Sequence, residues 1–312
     1  MGKIDEKNQF EVTKNSIAQI LDAYNISDFL YEELKQGIEN TTLLIQTENK
    51  KFVLRIYRRN KKSNEDIQLE IHFQKYLHAR NFPLPELIQN EKGEFLTLTK
   101  IRDIDWQAVL MQYMGKTDFT SYTDALIKDL ASTQAKMHIA GIDFAKTIPN
   151  HKVYAELKET MMDNHPISGL DKDKKDFIER AKKFYLSFTP TLTFGYNHLD
   201  FDTHGNVLTK KDKVLAVLDF DDLFYSPSIL CLGYTLWHVL FETKDVDKVK
   251  NYISEYQQIR ELTQEELKIL PRIILFRNYV IGAIELSVRE GDDYIDHIMQ
   301  LESEIEQLNF TA

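Results

Sequence analysis

HLDFDTHGNVL (198–208) puts two aspartates, two histidines and an asparagine into eleven residues, and the apolar run VLAVLDF (214–220) follows. Polar residues this dense beside a strand make either a surface turn or a site. Aspartate-rich turns are common, because Asp caps helices and forms Asx turns, and any one of these residues alone reads that way. The joint pattern reads as a site. NVLT (206–209), KKDK (210–213) and VLAVLDF (214–220) have the form of a tight hairpin folded about 211–212. That hairpin brings Asn206 roughly opposite the end of the second strand, near Asp219. Asp219 closes an apolar run whose burial anchors its backbone, and Asp221 and Asp222 follow. Carboxylates this close repel and raise one another's pKa unless a cation neutralises them. Asp and Asn oxygens, with no Cys–His pattern, point to Mg2+ rather than Zn2+.

Two further stretches carry chemistry. In KFVLRIY (51–57), Arg55 sits inside an apolar strand on the same face as Val53. A buried guanidinium needs a partner, and Glu70 on the following helix is the expected one. The alternative is an Arg55 that reaches solvent at a strand edge. In KQGIENTTLL (35–44), Gly37 lies in a turn between strands, where a glycine lets backbone N–H groups approach a phosphate. A single glycine reads equally as an ordinary hairpin turn.

Around these stretches the chain divides in character. The spacing predicts a helix over 12–26, three strands across 30–59, a helix over 63–80 and two strands across 81–101. Beyond about 101, helices are expected at 122–141, 150–163, 172–187, 226–242, 245–259, 264–288 and 291–308, with 206–219 as the one clear β interruption. The expected fold is α+β: a small sheet-rich lobe over 1–100 and a larger helical lobe over 101–312.

Composition narrows the function. The 312 residues are 43% hydrophobic and 28% charged, with a net charge of -10, which disfavours nucleic acid as a partner. One cysteine, Cys231, allows no internal disulfide, and the longest apolar stretch, 229–241, is too short to span a bilayer. A cytoplasmic protein with no membrane association is expected. The oligomeric state is not readable.

The order of these motifs, Gly turn, strand Arg, helix Glu, H-x-D…N and strand-terminal DF, resembles the protein-kinase-like fold. In detail it resembles the aminoglycoside phosphotransferase family, which includes antibiotic, choline, homoserine and methylthioribose kinases. HLDFDTHGNVL followed by VLAVLDFDDL resembles the family's catalytic segment, QGIENTTLLI its phosphate-covering hairpin, and ASTQAKMHIAG (131–141) its helix ending Ala-x-Leu-His. The resemblance implies ATP and Mg2+ as cofactors and a small-molecule hydroxyl as acceptor. It implies Asp200 as catalytic base, Asn206 and Asp219 as Mg2+ ligands, Arg55 as the phosphate contact with Glu70 as its partner, and Gly37 and Asn40 over the phosphates. The adenine is expected against the inter-lobe connection at Leu98, Thr99, Lys100 and Ile101. The acceptor is expected near Asp222, Tyr225, Trp237 and the helix from Arg277 to Glu285. Acidic and aromatic residues there suit an amine, whereas Arg277 suits a carboxylate.

Three positions depart from the family. Arg55 stands where protein kinases have Lys. Asp200 to Asn206 is six positions where the family usually has five, so Asp202 competes with Asp200 for the role of base. Asp200 is preferred, because a turn accepts an extra residue more readily than a packed His-x-Asp anchor does. Third, Cys231 stands where the family has an Asp that holds the catalytic loop, so the loop needs another anchor. These departures motivate a second reading, a nucleotide-binding pseudokinase with a regulatory role. A protein kinase is disfavoured by the lack of an Ala-Pro-Glu segment after Asp219.

Overall fold

The structure is a computed structural model, and it describes residues 10–34, 40–149, 170–184, 186, 191–288 and 292–310. Contacts divide the chain into two units: one runs up to Thr117 and takes in Leu215–Asp221, and the other comprises Asp118–Val214 and Asp222–Ala312. The expected division after residue 100 therefore falls inside the first unit.

The first unit is built on an antiparallel sheet. β1 (Leu30–Glu33), β2 (Thr41–Gln46), β3 (Lys51–Ile56), β4 (Leu87–Ile88), β5 (Thr97–Ile101) and β6 (Ile104–Gln112) are arranged β1-β2-β3-β6-β4, with β5 also paired to β6. Five of these strands lie where the sequence places them. The sixth, β6, was not expected, yet it is central. Its Ala108, Val109 and Leu110 are all buried, so it lacks the polar–apolar alternation that marks a half-exposed strand.

Helices cover both faces of this sheet. α1 (Lys14–Leu21) starts at Thr13, whose hydroxyl accepts from the Ser16 N–H, as an N-cap does. It buries Ile17, Ile20 and Leu21 against Leu43, Ile45, Leu54, Ile56 and Trp106. α2 (Asn64–His78) opens with a capping box of Ser63 and Asp66. Its Ile67 and Ile71 pack with Tyr57, Leu87 and Val109. Strand side chains alternate between faces, so Arg55, between buried Leu54 and Ile56 and opposite Val109, falls on the α2 side.

The second unit is mostly helical: α3 (Asp124–Ala145), α4 (Lys172–Lys183), α5 (Ser228–Thr243), α6 (Val246–Gln257), α7 (Gln264–Val288) and α8 (Asp292–Glu306). These match the expected helices, except that the one expected at 150–163 lies outside the described residues. The unit also contains an unexpected antiparallel pair, β7 (Phe194–His198) and β10 (Leu223–Pro227). The sequence hides β7 because FGYNH carries Gly195 and Asn197, both poor strand formers. Its context requires them. A Cβ on Gly195 lies 2.8 Å from the backbone N of Ile142 in α3, and Asn197 Nδ2 donates to the Gly195 and Ser226 carbonyls at 2.8 Å each. The turn at 211–212 is present: Lys210 and Lys213 exchange backbone hydrogen bonds, with Lys211 and Asp212 at φ +51 and +57. β8 (Val207–Thr209) precedes the turn and β9 (Val214–Val217) follows it.

α3 rests directly on the backbone of β7, and a Cβ on Gly141 meets the Tyr196 carbonyl oxygen at 2.0 Å. Gly141→Ala is expected to destabilise the fold by about 1–3 kcal/mol or more, the usual range for overpacking. A urea midpoint equal to that of the unsubstituted protein contradicts this packing.

Candidate active site

In the sheet-based unit the site residues gather around the turn after β9. Asp219 adopts φ +58, a left-handed conformation that Asp tolerates better than most residues. Arg55 Nη2 donates to Asp219 Oδ1 at 2.8 Å and also to Asp221 Oδ2. Asn40 Nδ2 donates to the same Asp221 oxygen, while Asn40 Oδ1 accepts from the Arg58 N–H at 2.9 Å. Lys62 Nζ, from the loop before α2, donates to Glu70 Oε1, to the Asp221 carbonyl at 2.6 Å and to Asp221 Oδ1 at 3.3 Å. Tyr57 donates its hydroxyl to Glu70 Oε2 at 3.1 Å.

This arrangement corrects the expected Arg55–Glu70 pair. Arg55 is half-buried and paired, as its place on an apolar strand requires, but its carboxylates are Asp219 and Asp221. Glu70 is 3% exposed and pairs with Lys62. Burial pushes the Glu70 carboxyl up to about 7, against the opposing pull of Lys62. The sequence reading includes Asp221 among the clustered carboxylates but gives it no partner, and it does not single out Lys62. The only hint of Lys62 was a basic pair, Lys61-Lys62, just before the α2 cap.

Two expectations for the nucleotide fare differently. Gly37 lies outside the described residues. Leu98, Thr99, Lys100 and Ile101 do not form a connection between units. They are β5, the first arm of a hairpin with β6 that turns at Arg102 and Asp103, both at positive φ. Leu98 on that arm is 62% exposed. The chain leaves the sheet-based unit only after β6.

In the helical unit, the loop after β7 carries the catalytic candidates. Asp200 Oδ1 accepts from Arg277 Nη2 at 2.9 Å, and Asn206 Nδ2 donates to Asp200 Oδ2 at 3.1 Å and to its carbonyl at 2.9 Å. Two donors thus orient the Asp200 side chain while it stays 37% exposed. Asp202 is turned inward, 7% exposed, and its Oδ1 accepts from the N–H groups of His204 at 2.7 Å and Gly205 at 3.2 Å. The Val207 N–H closes this turn on the Asp202 carbonyl at 2.7 Å. Asp202 thus caps the turn that lies between Asp200 and Asn206. Burial, with the Asp200 charge nearby, raises the Asp202 pKa.

The missing loop anchor is supplied by neutral groups. Cys231 Sγ donates to the His198 carbonyl at 2.7 Å, and Thr235 Oγ1 donates to the Phe201 carbonyl at 3.0 Å. Gln134 of α3 binds both anchors, donating to Cys231 Sγ at 3.3 Å and Thr235 Oγ1 at 2.7 Å. Burial pushes the Cys231 thiol up to about 12, so it stays protonated and able to donate. The start of the loop is fixed locally as well, by the Asp200 N–H donating to His198 Nδ1 at 3.2 Å.

Of the acceptor-wall candidates, Arg277 reaches Asp200. Trp237 does not serve as wall: it is 1% exposed and its Nε1 donates to Asn278 Oδ1 at 2.9 Å within the core. Tyr225 packs on the rings of Phe194 and Tyr196. The Asp222 side chain lies outside the described residues. His238 of α5 was not expected. One ligand atom from each of Asp200, Asp202 and His238 lies within 4.8 Å of the others. The cation among them is Arg277, whose Nη2 lies 3.5 Å from His238 Nε2. Burial and that guanidinium lower the His238 pKa to about 3, so the ring is neutral. The Asp219 side chain, 39% exposed and oxygen-only, fits a hard divalent ion better than this mixed set.

Residues 31–267 match the sequence profile of the Phosphotransferase enzyme family. The homoserine kinase of Methylobacillus glycogenes is 26% identical over 271 residues, 84% of this chain and 81% of that one. The homoserine kinase of Polaromonas naphthalenivorans (strain CJ2) is 25% identical over 249 residues, 76% of this chain and 75% of that one. Among solved structures, amicoumacin kinase hAmiN in complex with AMP-PNP, Ca2+ and Ami superposes with TM-score 0.72 at 17% identity, covering 94% of this chain and 91% of that one. A microcompartment-associated aminopropanol kinase also gives 0.72 at 17%, covering 94% and 95%. At such identities the likeness shows the fold, the α+β, protein-kinase-like one expected from the sequence. No described helix is long and apolar enough to cross a membrane.

The two roles given to the loop aspartates separate experimentally. Asp202→Ala strips the acceptor from two partly buried N–H groups and is expected to destabilise by about 1–3 kcal/mol. Asp202→Asn keeps an acceptor oxygen and is expected to cost less. Equal denaturation midpoints for both variants and the unsubstituted protein contradict the cap.

Proposed function

The chain belongs to the Phosphotransferase enzyme family and is an ATP-dependent kinase acting on a hydroxyl of a small molecule; from that premise we propose that its acceptor is a hydroxy amino acid of the homoserine type, with Asp200 as the base. The observation that carries this is the Arg277–Asp200 pair. A guanidinium matches a carboxylate in shape and charge, and here it stands beside the proposed base. An acceptor carboxylate on Arg277 sets its hydroxyl within reach of Asp200. The homoserine kinases among the relatives point the same way.

The remaining roles follow from the donors each residue offers. Asp200 takes the hydroxyl proton as the acceptor oxygen attacks the γ-phosphorus, and ADP departs as the leaving group. Asn206 orients Asp200 through its side-chain amide and would offer an oxygen to a metal, as would Asp219. Arg55 serves the phosphates, with Asn40 beside it on Asp221. When bound, Mg2+ neutralises charge on the phosphates, and most of the remaining catalysis is positioning. Cys231 and Thr235 hold the loop carbonyls, so a cysteine at this place does not by itself favour a pseudokinase.

The test is ADP release from ATP with L-homoserine, 1-amino-2-propanol, choline and kanamycin offered separately. Turnover is expected with homoserine; turnover with an amine lacking a carboxylate instead overturns the acceptor class. Asp200→Asn is expected to lower kcat by about 10²–10⁴-fold, as loss of a general base does, with nucleotide affinity kept. Full activity in that variant, or loss of activity in Asp202→Asn instead, moves the base to another residue.

A further inference from the structure

The expected partner of Glu70 was Arg55, yet the structure supplies another cation. We propose that Lys62 is a positioning residue: it ties Glu70 of α2 to Asp221 and so holds the turn that presents Asp219 to the metal. The inference rests on the reading of Asp219 as a metal ligand.

An ammonium group has three donors, and Lys62 uses them on Glu70, on the Asp221 carbonyl and on the Asp221 carboxylate. These acceptors come from two separate elements, so one side chain joins α2 to the turn. The contact is not an exposed surface pair of the kind that contributes little. The Lys62, Glu70 and Asp221 side chains are 19%, 4% and 15% exposed.

Fixing Asp221 constrains Asp219. The Asp221 N–H donates to Asp219 Oδ1 at 3.3 Å, within the same turn. Asp219 also holds a left-handed backbone at φ +58, a conformation that persists for a non-glycine residue when its surroundings impose it. Arg55 meanwhile is engaged by Asp219 and Asp221. Arg55 holds the turn from β3, and the link from α2 to the turn runs through Lys62.

The test compares the full chain with Lys62→Met, Glu70→Gln and the double variant. Calorimetry with a non-hydrolysable ATP analogue and Mg2+ reads binding without any acceptor. Lys62→Met is expected to weaken Mg2+-dependent binding by about 10–100-fold, as loss of an outer-shell partner does. The melting transition stays cooperative, because Glu70 can take up a proton and keeps its Tyr57 donor. The nucleotide KM rises while the acceptor KM does not. The double variant is no weaker than the weaker single one, since both changes break one link. Lys62→Arg, which keeps the charge, recovers part of the loss. If Lys62→Met does not fold, Lys62→Gln carries the same comparison. A Lys62→Met that binds like the unsubstituted protein, or losses that multiply in the double variant, overturns the role of Lys62 alone. An unsubstituted protein that binds the analogue equally without metal overturns the Asp219 reading, and this inference with it.

Discussion

Asp221 accepts hydrogen bonds from Asn40, Arg55 and Lys62, and its carbonyl takes another from Lys62. One residue thereby gathers the residue before β2, the end of β3, the loop before α2 and the turn after β9. The charges explain why the set holds together. Two cations, Arg55 and Lys62, face three carboxylates, Glu70, Asp219 and Asp221. Burial alone disfavours the charged guanidinium, and the neighbouring Asp221 and Asp219 more than reverse this. Removing Asp221 takes one carboxylate from each of two half-buried cations, leaving Arg55 to Asp219 and Lys62 to Glu70. With its three carboxylates ionised, the cluster carries one net negative charge.

The loop in the helical unit follows a different rule. It is held by neutral donors on its carbonyls, from Cys231 and Thr235, with Gln134 bonded to both. A thiol is a weak donor compared with a backbone N–H. Here burial keeps it protonated, and the hydroxyl of Thr235, one turn further along α5, supports it. The ion pair beside this loop is that of Arg277 with Asp200, the proposed base. Asp202, which competed for the role of base, is occupied with its own turn.

The motif order is readable because chemistry fixes it: HLDFDTHGNVL, the 211–212 turn and most helices are visible in residue type and spacing. The misses have physical causes. β6 is buried on both faces, so its run AVLM has no period to detect. β7 needs Gly195 and Asn197 to lie under α3, and both residues argue against a strand when read alone. The partner of Arg55 depended on which carboxylate reaches it, and Asp219 and Asp221 lie more than 160 residues away in the chain. Glu70, fifteen residues on, looked nearer only in sequence. Residues 98–101 read as a connection because the β6 run that follows them has no detectable period. Lys62 sits among solvent-type residues, and only its contacts distinguish it.

The central claim is that the Asp219–Asp221 turn, held by Arg55 and Lys62, takes a metal–nucleotide complex. The most direct measurement is calorimetric titration of the unsubstituted protein with a non-hydrolysable ATP analogue, once with Mg2+ and once with EDTA. Binding with Mg2+ that is lost or falls by at least about tenfold in EDTA, the scale of one outer-shell contact, is the expected result. Equal affinity in both, or no binding in either, contradicts it.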